Sequence, residues 1–301
     1  MYKAHDTITK QNVAIKLIKG GYSKQLGLTP LLIREISMMN MLKCHPYIAT
    51  LLEVLINKGP DDGMVALVLP FSDYDLKTWM QSRDYRVNDV QRIMFQIISA
   101  INFMHSNYIV HRDIKPSNCL IDYSGKTVKV ADFGLSRVFT DERNIAYSWP
   151  IGTTEYCAPE LLLSSNHYNY AIDIWGLGTT LAELLRKGKA LFHKILPASI
   201  PVVDEKGSAQ YKYDEGGTLM LIFELLGTPT ITEQPRLFRL LEAYQKDNDI
   251  SIGPSKPILK FDIYDDDAVE LLMKMIELEP TDRISTALAL QSPFFKDIQK
   301  I

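Results

Sequence analysis

The chain has 301 residues, 46% of them apolar and 23% charged, which suits one large domain or two packed lobes of a globular protein. A formal charge of -3 gives no field to gather nucleic acid or an anionic membrane, and no run of about eighteen apolar residues is present. Three separated cysteines, Cys44, Cys119 and Cys157, exclude a disulfide framework and point to a reducing compartment, with cytoplasm and nucleus both open. Cys44-His45 lacks the spaced partners that a metal site needs.

Taken in order, the β-branched alternation of Val13-Ala14-Ile15-Lys16-Leu17-Ile18 predicts a strand ending at the Gly20-Gly21 turn. Thr29-Pro30 reads as an N-cap with proline at the first helical position, opening a helix over 30–42. Its residues Ile33, Ile36 and Met39 are expected to share the apolar face. Segments 48–56 and 64–69 read as two more strands, joined by a turn over 59–63. Asn88-Asp89-Val90-Gln91 has capping-box form, and Val90, Ile93, Met94, Ile97, Ile101 and Met104 follow at helical spacing. Leu120-Ile121-Asp122 and Val128-Lys129-Val130 predict a hairpin turned at Ser124-Gly125.

Beyond residue 150 helices are expected over 172–186, closed by Gly188 as C′, and over 219–226 and 268–278. Segment 198–217 shows no period and reads as a surface insertion. The fold class is therefore α+β and bilobal, a strand-rich lobe over 1–72 preceding a larger helical lobe over 73–301.

An ordered series of motifs carries the chemistry: Val13-Ala14-Ile15-Lys16, Glu35, His111-Arg112-Asp113-Ile114-Lys115-Pro116-Ser117-Asn118, Asp132-Phe133-Gly134 and Ala158-Pro159-Glu160. The series is the protein-kinase signature, so the chain is identified by it as resembling that family. Each piece also falls where it should, with the lysine on a strand and the glutamate on a helix. Alone, Lys16 and Glu35 would read as a surface ion pair, Asp132 and Asn118 as turn residues, and Asp113 as a loop acid. Together they suit phosphoryl transfer, which asks for positioning and charge neutralisation. Lys16 offers a point charge for nucleotide phosphates and Glu35 can hold it. Asp132 and Asn118 offer hard oxygens for magnesium. Asp113 can take the proton of an attacking hydroxyl, with Lys115 to stabilise the transferring phosphoryl.

Within that family the chain resembles the cyclin-dependent kinases. Pro30-Leu31-Leu32-Ile33-Arg34-Glu35 is similar to their P-S-T-A-I-R-E helix segment, one residue shorter. Leu226-Gly227-Thr228-Pro229-Thr230 and Glu279-Pro280-Thr281-Asp282-Arg283-Ile284-Ser285 resemble two later segments of the group. The resemblance implies a serine/threonine kinase that uses ATP and Mg2+, acts on protein substrates and engages a cyclin-like activator at helix 30–42. It implies Leu69 as gatekeeper, the main chain of Pro70 and Ser72 at the adenine edge, and Asp75 at the ribose. It implies Ala14 and Leu120 on either side of the base, and a buried pair between Arg283 and Glu160. Arg34, Arg112 and Arg137 match positions that gather around a phosphorylated activation-segment residue, here Ser148, with Tyr147 and Thr153 as weaker matches.

Two departures stand beside this. The family's glycine-rich loop, which precedes the segment similar to Tyr2-Lys3-Ala4-His5-Asp6, is absent from the sequence. That fits a sequence given without its first segment and, as a second reading, admits a kinase-fold pseudoenzyme or cyclin-binding scaffold. Cys157 stands where these kinases carry arginine, which opens the preference for proline after the target residue.

Overall fold

The computed structural model describes residues 1–23, 27–57, 63–139, 153–165, 167–192, 202–203, 209–210, 215–248, 251–258 and 265–298. The chain divides into two compact units, Met1–Phe139 with Phe295–Ile301, and Thr140–Phe294.

In the first unit β1 (Tyr2–His5) and β2 (Asn12–Ile18) form a hairpin whose turn is held by Asp6, which accepts from the Ile8 and Thr9 N–H groups. A short pair, β3 (Tyr22–Ser23) and β4 (Gly27–Leu28), leads into α1 (Pro30–Leu42), followed by β5 (Glu53–Ile56) and β6 (Val65–Pro70). Four strands make an antiparallel sheet in the order β1-β2-β6-β5. Alternation puts Ala14, Lys16 and Ile18 on one face of β2. That is the face on which α1 lies, with Leu32 packed against Val65 and Leu67.

Helix α1 has the expected boundaries, but its buried face is Leu32, Glu35, Met38, Met39 and Leu42. Of the stripe expected from Ile33, Ile36 and Met39, Met39 is buried and Ile36 packs against the core, while Ile33 is 49% exposed and is corrected. Apolar residues occur all round this helix, and periodicity alone could not choose among its faces. The strand expected over 48–56 is also shorter. Only Glu53–Ile56 pairs with β6, while Ile48 bridges in parallel to Val130. The turn expected over 59–63 lies, except for Gly63, outside the described residues.

The rest of the unit holds β7 (Tyr74–Asp75), α2 (Leu76–Ser82), α3 (Val87–Ser106), β8 (Ile109–Val110), β9 (Cys119–Ile121), β10 (Val128–Val130) and β11 (Arg137–Val138). All six apolar residues expected on the core face of α3 are buried, each worth about 1.5–3 kcal/mol relative to exposure. Its start is two residues earlier than the Asn88 cap. Arg86 is the N-cap, and Asp89 at N3 accepts from the Arg86 N–H at 2.9 Å. A carboxylate at N3 reaches back more strongly than the Gln91 amide can.

Gln96 of α3 clamps the β9–β10 hairpin, donating to the Lys126 carbonyl at 2.9 Å and accepting from the Val128 N–H at 2.7 Å. The hairpin turn needs its glycine. Gly125 has φ +71, and a Cβ there would sit 2.6 Å from Trp79 Cζ2.

The second unit comprises α4 (Pro159–Leu162), α5 (Ala171–Leu185), β12 (Val202–Val203), β13 (Ala209–Gln210), α6 (Glu215–Leu226), α7 (Pro235–Asn248), α8 (Asp266–Met275) and α9 (Thr286–Ala289). Helix α5 is buried from Ala171 to Leu184, on every side. It ends in a Schellman motif, in which Lys187 at C′ has φ 57 and the Gly188 N–H reaches the Glu183 carbonyl at 2.8 Å. Gly188 is thus C″, one place beyond the expectation. Helix α7 went unread in the sequence. Within 198–217, Val202–Val203 pairs with Ala209–Gln210 and α6 begins, while the rest lies outside the described residues. No described helix is long and apolar enough to cross a membrane.

Candidate active site

The site is assembled within the first unit. Strand β2 delivers Lys16 and the buried face of α1 delivers Glu35, whose Oε1 accepts from Lys16 Nζ at 2.7 Å. The same ammonium donates to Asp132 Oδ1 at 3.2 Å. Burial pushes the Lys16 ammonium down, but the Glu35 hydrogen bond and the Asp132 and Glu35 charges outweigh it, and the net shift is upward. Burial likewise pushes the Asp132 carboxyl up, and the charge and hydrogen bond of Lys16 reverse this to a net depression. Both groups are therefore held charged, and the Asp132 side chain stays 51% exposed.

Between β8 and β9 the loop turns through Arg112, which has φ 75, and Asp132 just after β10 has φ 63. Left-handed backbone costs a non-glycine residue on the order of 1–2 kcal/mol, so the surrounding bonds must enforce both. His111 is one enforcer. Its Nδ1 accepts from the Asp113 N–H at 3.3 Å, which leaves Nε2 to donate to the Ala131 carbonyl at 3.1 Å. The imidazole thereby ties the Asp113 loop to the residue before Asp132.

Asp113 Oδ2 accepts from Lys115 Nζ and from Asn118 Nδ2, each at 2.8 Å. Asn118 Nδ2 also donates to the Asp113 carbonyl at 2.8 Å. Two acceptors on one nitrogen orient the amide and turn Asn118 Oδ1 away from Asp113, as a hard oxygen for a cation.

A cavity of about 450 Å³ adjoins these groups, in the range of small-molecule sites. Ala14, Lys16, Leu69, Pro70, Ser72, Asp75, Leu120 and Asp132, the eight residues expected at a nucleotide, all line it, with Glu35 and Asn118. Asp113 and Lys115 do not line it; Asn118 links them to it. Ser72 Oγ donates to the Ile121 carbonyl at 2.9 Å and so pins the 70–75 segment to β9. Asp75 also caps α2, accepting from the Thr78 N–H at 2.9 Å and the Thr78 hydroxyl at 2.8 Å. A carboxylate has about four lone-pair directions, so capping leaves room for a ligand hydroxyl.

The structure adds lining residues that sequence reasoning missed, among them Lys3 and Thr78. Lys3 was legible in principle, since pairing β1 with β2 sets it opposite Ala14. Among the described residues no group of three or more His, Cys, Asp or Glu could hold a metal. Asp132 and Asn118 instead fit magnesium, which takes one or two protein oxygens and completes its shell with phosphates and water.

Of the arginines expected at a switch, Arg34 is half-buried on α1 and Arg112 is buried. Arg137 donates to the Leu135 and Ser136 carbonyls at 3.1 and 2.8 Å. None of the three lines the cavity. Ser148 and Tyr147 lie outside the described residues.

Residues 1–295 match the protein kinase domain. The chain is 34% identical over 304 residues to cell division control protein 2 homolog 3 of Trypanosoma brucei brucei, covering 99% of this chain and 88% of that one. It is 33% identical over 309 residues to cyclin-dependent kinase B2-2 of Arabidopsis thaliana, covering 99% and 89%. Its fold is similar to that in a crystal structure of the yeast RNA Pol II CTD kinase CTDK-1 complex, with TM-score 0.81, 27% identity, and coverage of 98% and 89%.

Proposed function

Because the chain belongs to the protein kinase family, we propose that its 450 Å³ cavity binds ATP with Mg2+ and that Asp113 is the base for phosphoryl transfer. Its relatives over nearly its whole length make it a cyclin-dependent-kinase-like serine/threonine protein kinase. The observation that carries the mechanistic reading is Lys16, joined to both Glu35 and Asp132 in the lining of the cavity.

Phosphoryl transfer needs charge placed in advance more than it needs covalent chemistry. Glu35 holds the Lys16 ammonium toward the phosphate end. Ala14 and Leu120 take the two faces of adenine, the Pro70 carbonyl and Ser72 N–H meet its edge, and Leu69 closes the back. Asp75 shares its carboxylate with the ribose. Asp132 and Asn118 Oδ1 would hold magnesium, which when bound neutralises charge on the phosphate oxygens. Asp113, oriented by Lys115 and Asn118, accepts the proton of a serine or threonine hydroxyl on a protein substrate, and Lys115 steadies the transferring group.

Asp113→Asn should lower turnover by about 10²–10⁴-fold with ATP affinity nearly intact, the mark of an interaction made in the transition state. Wild-type turnover in that variant would remove Asp113 as the base.

Regulation follows from α1. Leu31, Ile33 and Met41 are 60%, 49% and 54% exposed on it, which supports a cyclin-like protein as the partner at helix 30–42. Ile33→Glu and Met41→Glu should leave thermal stability unchanged and abolish partner-dependent activation; retained activation would exclude this face. Arg34, Arg112 and Arg137 are assigned to a phosphate on Ser148, whose charge of about -1.5 to -2 suits guanidinium groups. Mass spectrometry of active enzyme with Ser148 unmodified, and full activity of Ser148→Ala, would reject that switch.

A further inference from the structure

The register of β1 on β2 sets Lys3 directly opposite Ala14, so both side chains face the cavity. Lys3 Nζ lies 4.3 Å from the centroid of the Phe71 ring, over its face. Phe71 follows Pro70, and Ser72 after it is pinned to the Ile121 carbonyl. One edge strand of the sheet is thus tied by a cation–π contact to a segment that is itself anchored. Lys16 lies two residues along β2 from Ala14 on the same face, and no hydrogen bond or ion pair described for Lys16 involves this contact.

We propose that Lys3 is a positioning residue for the base of the nucleotide: its ammonium, held on Phe71, sets the height of the cavity where Ala14 and Leu120 enclose adenine. The inference rests on the reading of the cavity as an ATP site and goes beyond it. Lys3 acts through Phe71 on the base end and makes no contact with phosphate. An exposed cation–π contact corresponds to about a two- to fivefold change in an equilibrium constant. Arginine can replace lysine here, because a guanidinium also stacks on an aromatic face.

The test measures adenosine and Mg-ATP binding by calorimetry, with steady-state kinetics, for wild type, Lys3→Met, Lys3→Arg, Phe71→Leu and the Lys3→Met/Phe71→Leu pair. Expected is a two- to fivefold loss for Lys3→Met toward adenosine and ATP alike, in KM for ATP with kcat unchanged. Lys3→Arg should restore affinity, and the double variant should lose no more than either single one. Unchanged adenosine affinity in Lys3→Met, or a loss confined to ATP, would overturn the proposal. So would additive losses in the double variant. Absence of adenosine and ATP binding by the wild type would instead defeat the nucleotide reading itself, and the two failures are distinguishable.

Discussion

Two ion-pair clusters in this chain are built from the same chemistry to opposite ends. In the second unit Arg283 meets Glu160 through two parallel bonds of 2.7 and 2.8 Å, with side chains 0% and 1% exposed. Its remaining donors go to the Glu277, Ala171 and Leu278 carbonyls, and its guanidinium lies 5.0 Å from the Trp175 ring. All the hydrogen-bonding capacity of that guanidinium is directed inward. In the first unit Lys16 also has carboxylate partners, yet it is 30% exposed and Asp132 51% exposed. Charge there is held in place but left facing a cavity. A buried pair with every donor satisfied braces a fold; a half-open one keeps its field for something that enters.

The contrast can be broken most forcefully at its buried end. Arg283→Ala should destabilise the protein by about 3–5 kcal/mol, because Glu160 is left charged and buried without its partner. Thermal and denaturant unfolding measure this, and a loss below about 1 kcal/mol would make the pair no brace.

Lys16→Met should behave in the reverse way. Turnover should fall by about 10²–10³-fold, as when one preorganised donor is removed. The unfolding free energy should fall by less than in Arg283→Ala, since the Lys16–Asp132 side is open to water and only Glu35, at 8% exposure, is left buried without this partner. A large loss of stability in Lys16→Met would erase the distinction between the clusters. Asp132→Asn sharpens it further, since Mg-ATP binding should weaken while the melting temperature holds.

The smallest expected effect is in pH. The Asp132 carboxyl titrates below its ordinary 3.8, so its contribution to stability is present above that value and is lost as pH falls through the depressed one. The Lys16 ammonium titrates above its ordinary 10.5, so its contribution is present below that value and is lost as pH rises through the raised one. The stability difference between wild type and Lys16→Met should therefore be flat from about pH 5 to 9 and shrink at both ends. A slope inside that window would place other titrating groups in the cluster.

The residues of the candidate site were legible because they are close in sequence or sit in elements with strong patterns. Asp113, Lys115 and Asn118 come from one eight-residue run, and Lys16 from an alternating strand. Where elements had competing options the reading slipped. Helix α1 is apolar on several faces, so the burial of Glu35 beside Leu32 and Met39 depended on the sheet beneath it. The α3 cap moved from Asn88 to Arg86 because Asp89 bonds the backbone more strongly than Gln91 would. The edge strand ended at Glu53 because Ile48 found a partner in Val130, 82 residues away and invisible to a local window.

The sequence by itself determined the kinase family, the strand that carries Lys16, the helix that carries Glu35 and the buried stripe of α3, since residue type and spacing are local properties. Tertiary structure alone decided which face of α1 points inward, how Asn118 turns its amide, and that Lys3 stands over Phe71. Those depend on which groups meet across the chain. Burial and charge act between surfaces, and no period of 2.0 or 3.6 records what lies on the other side.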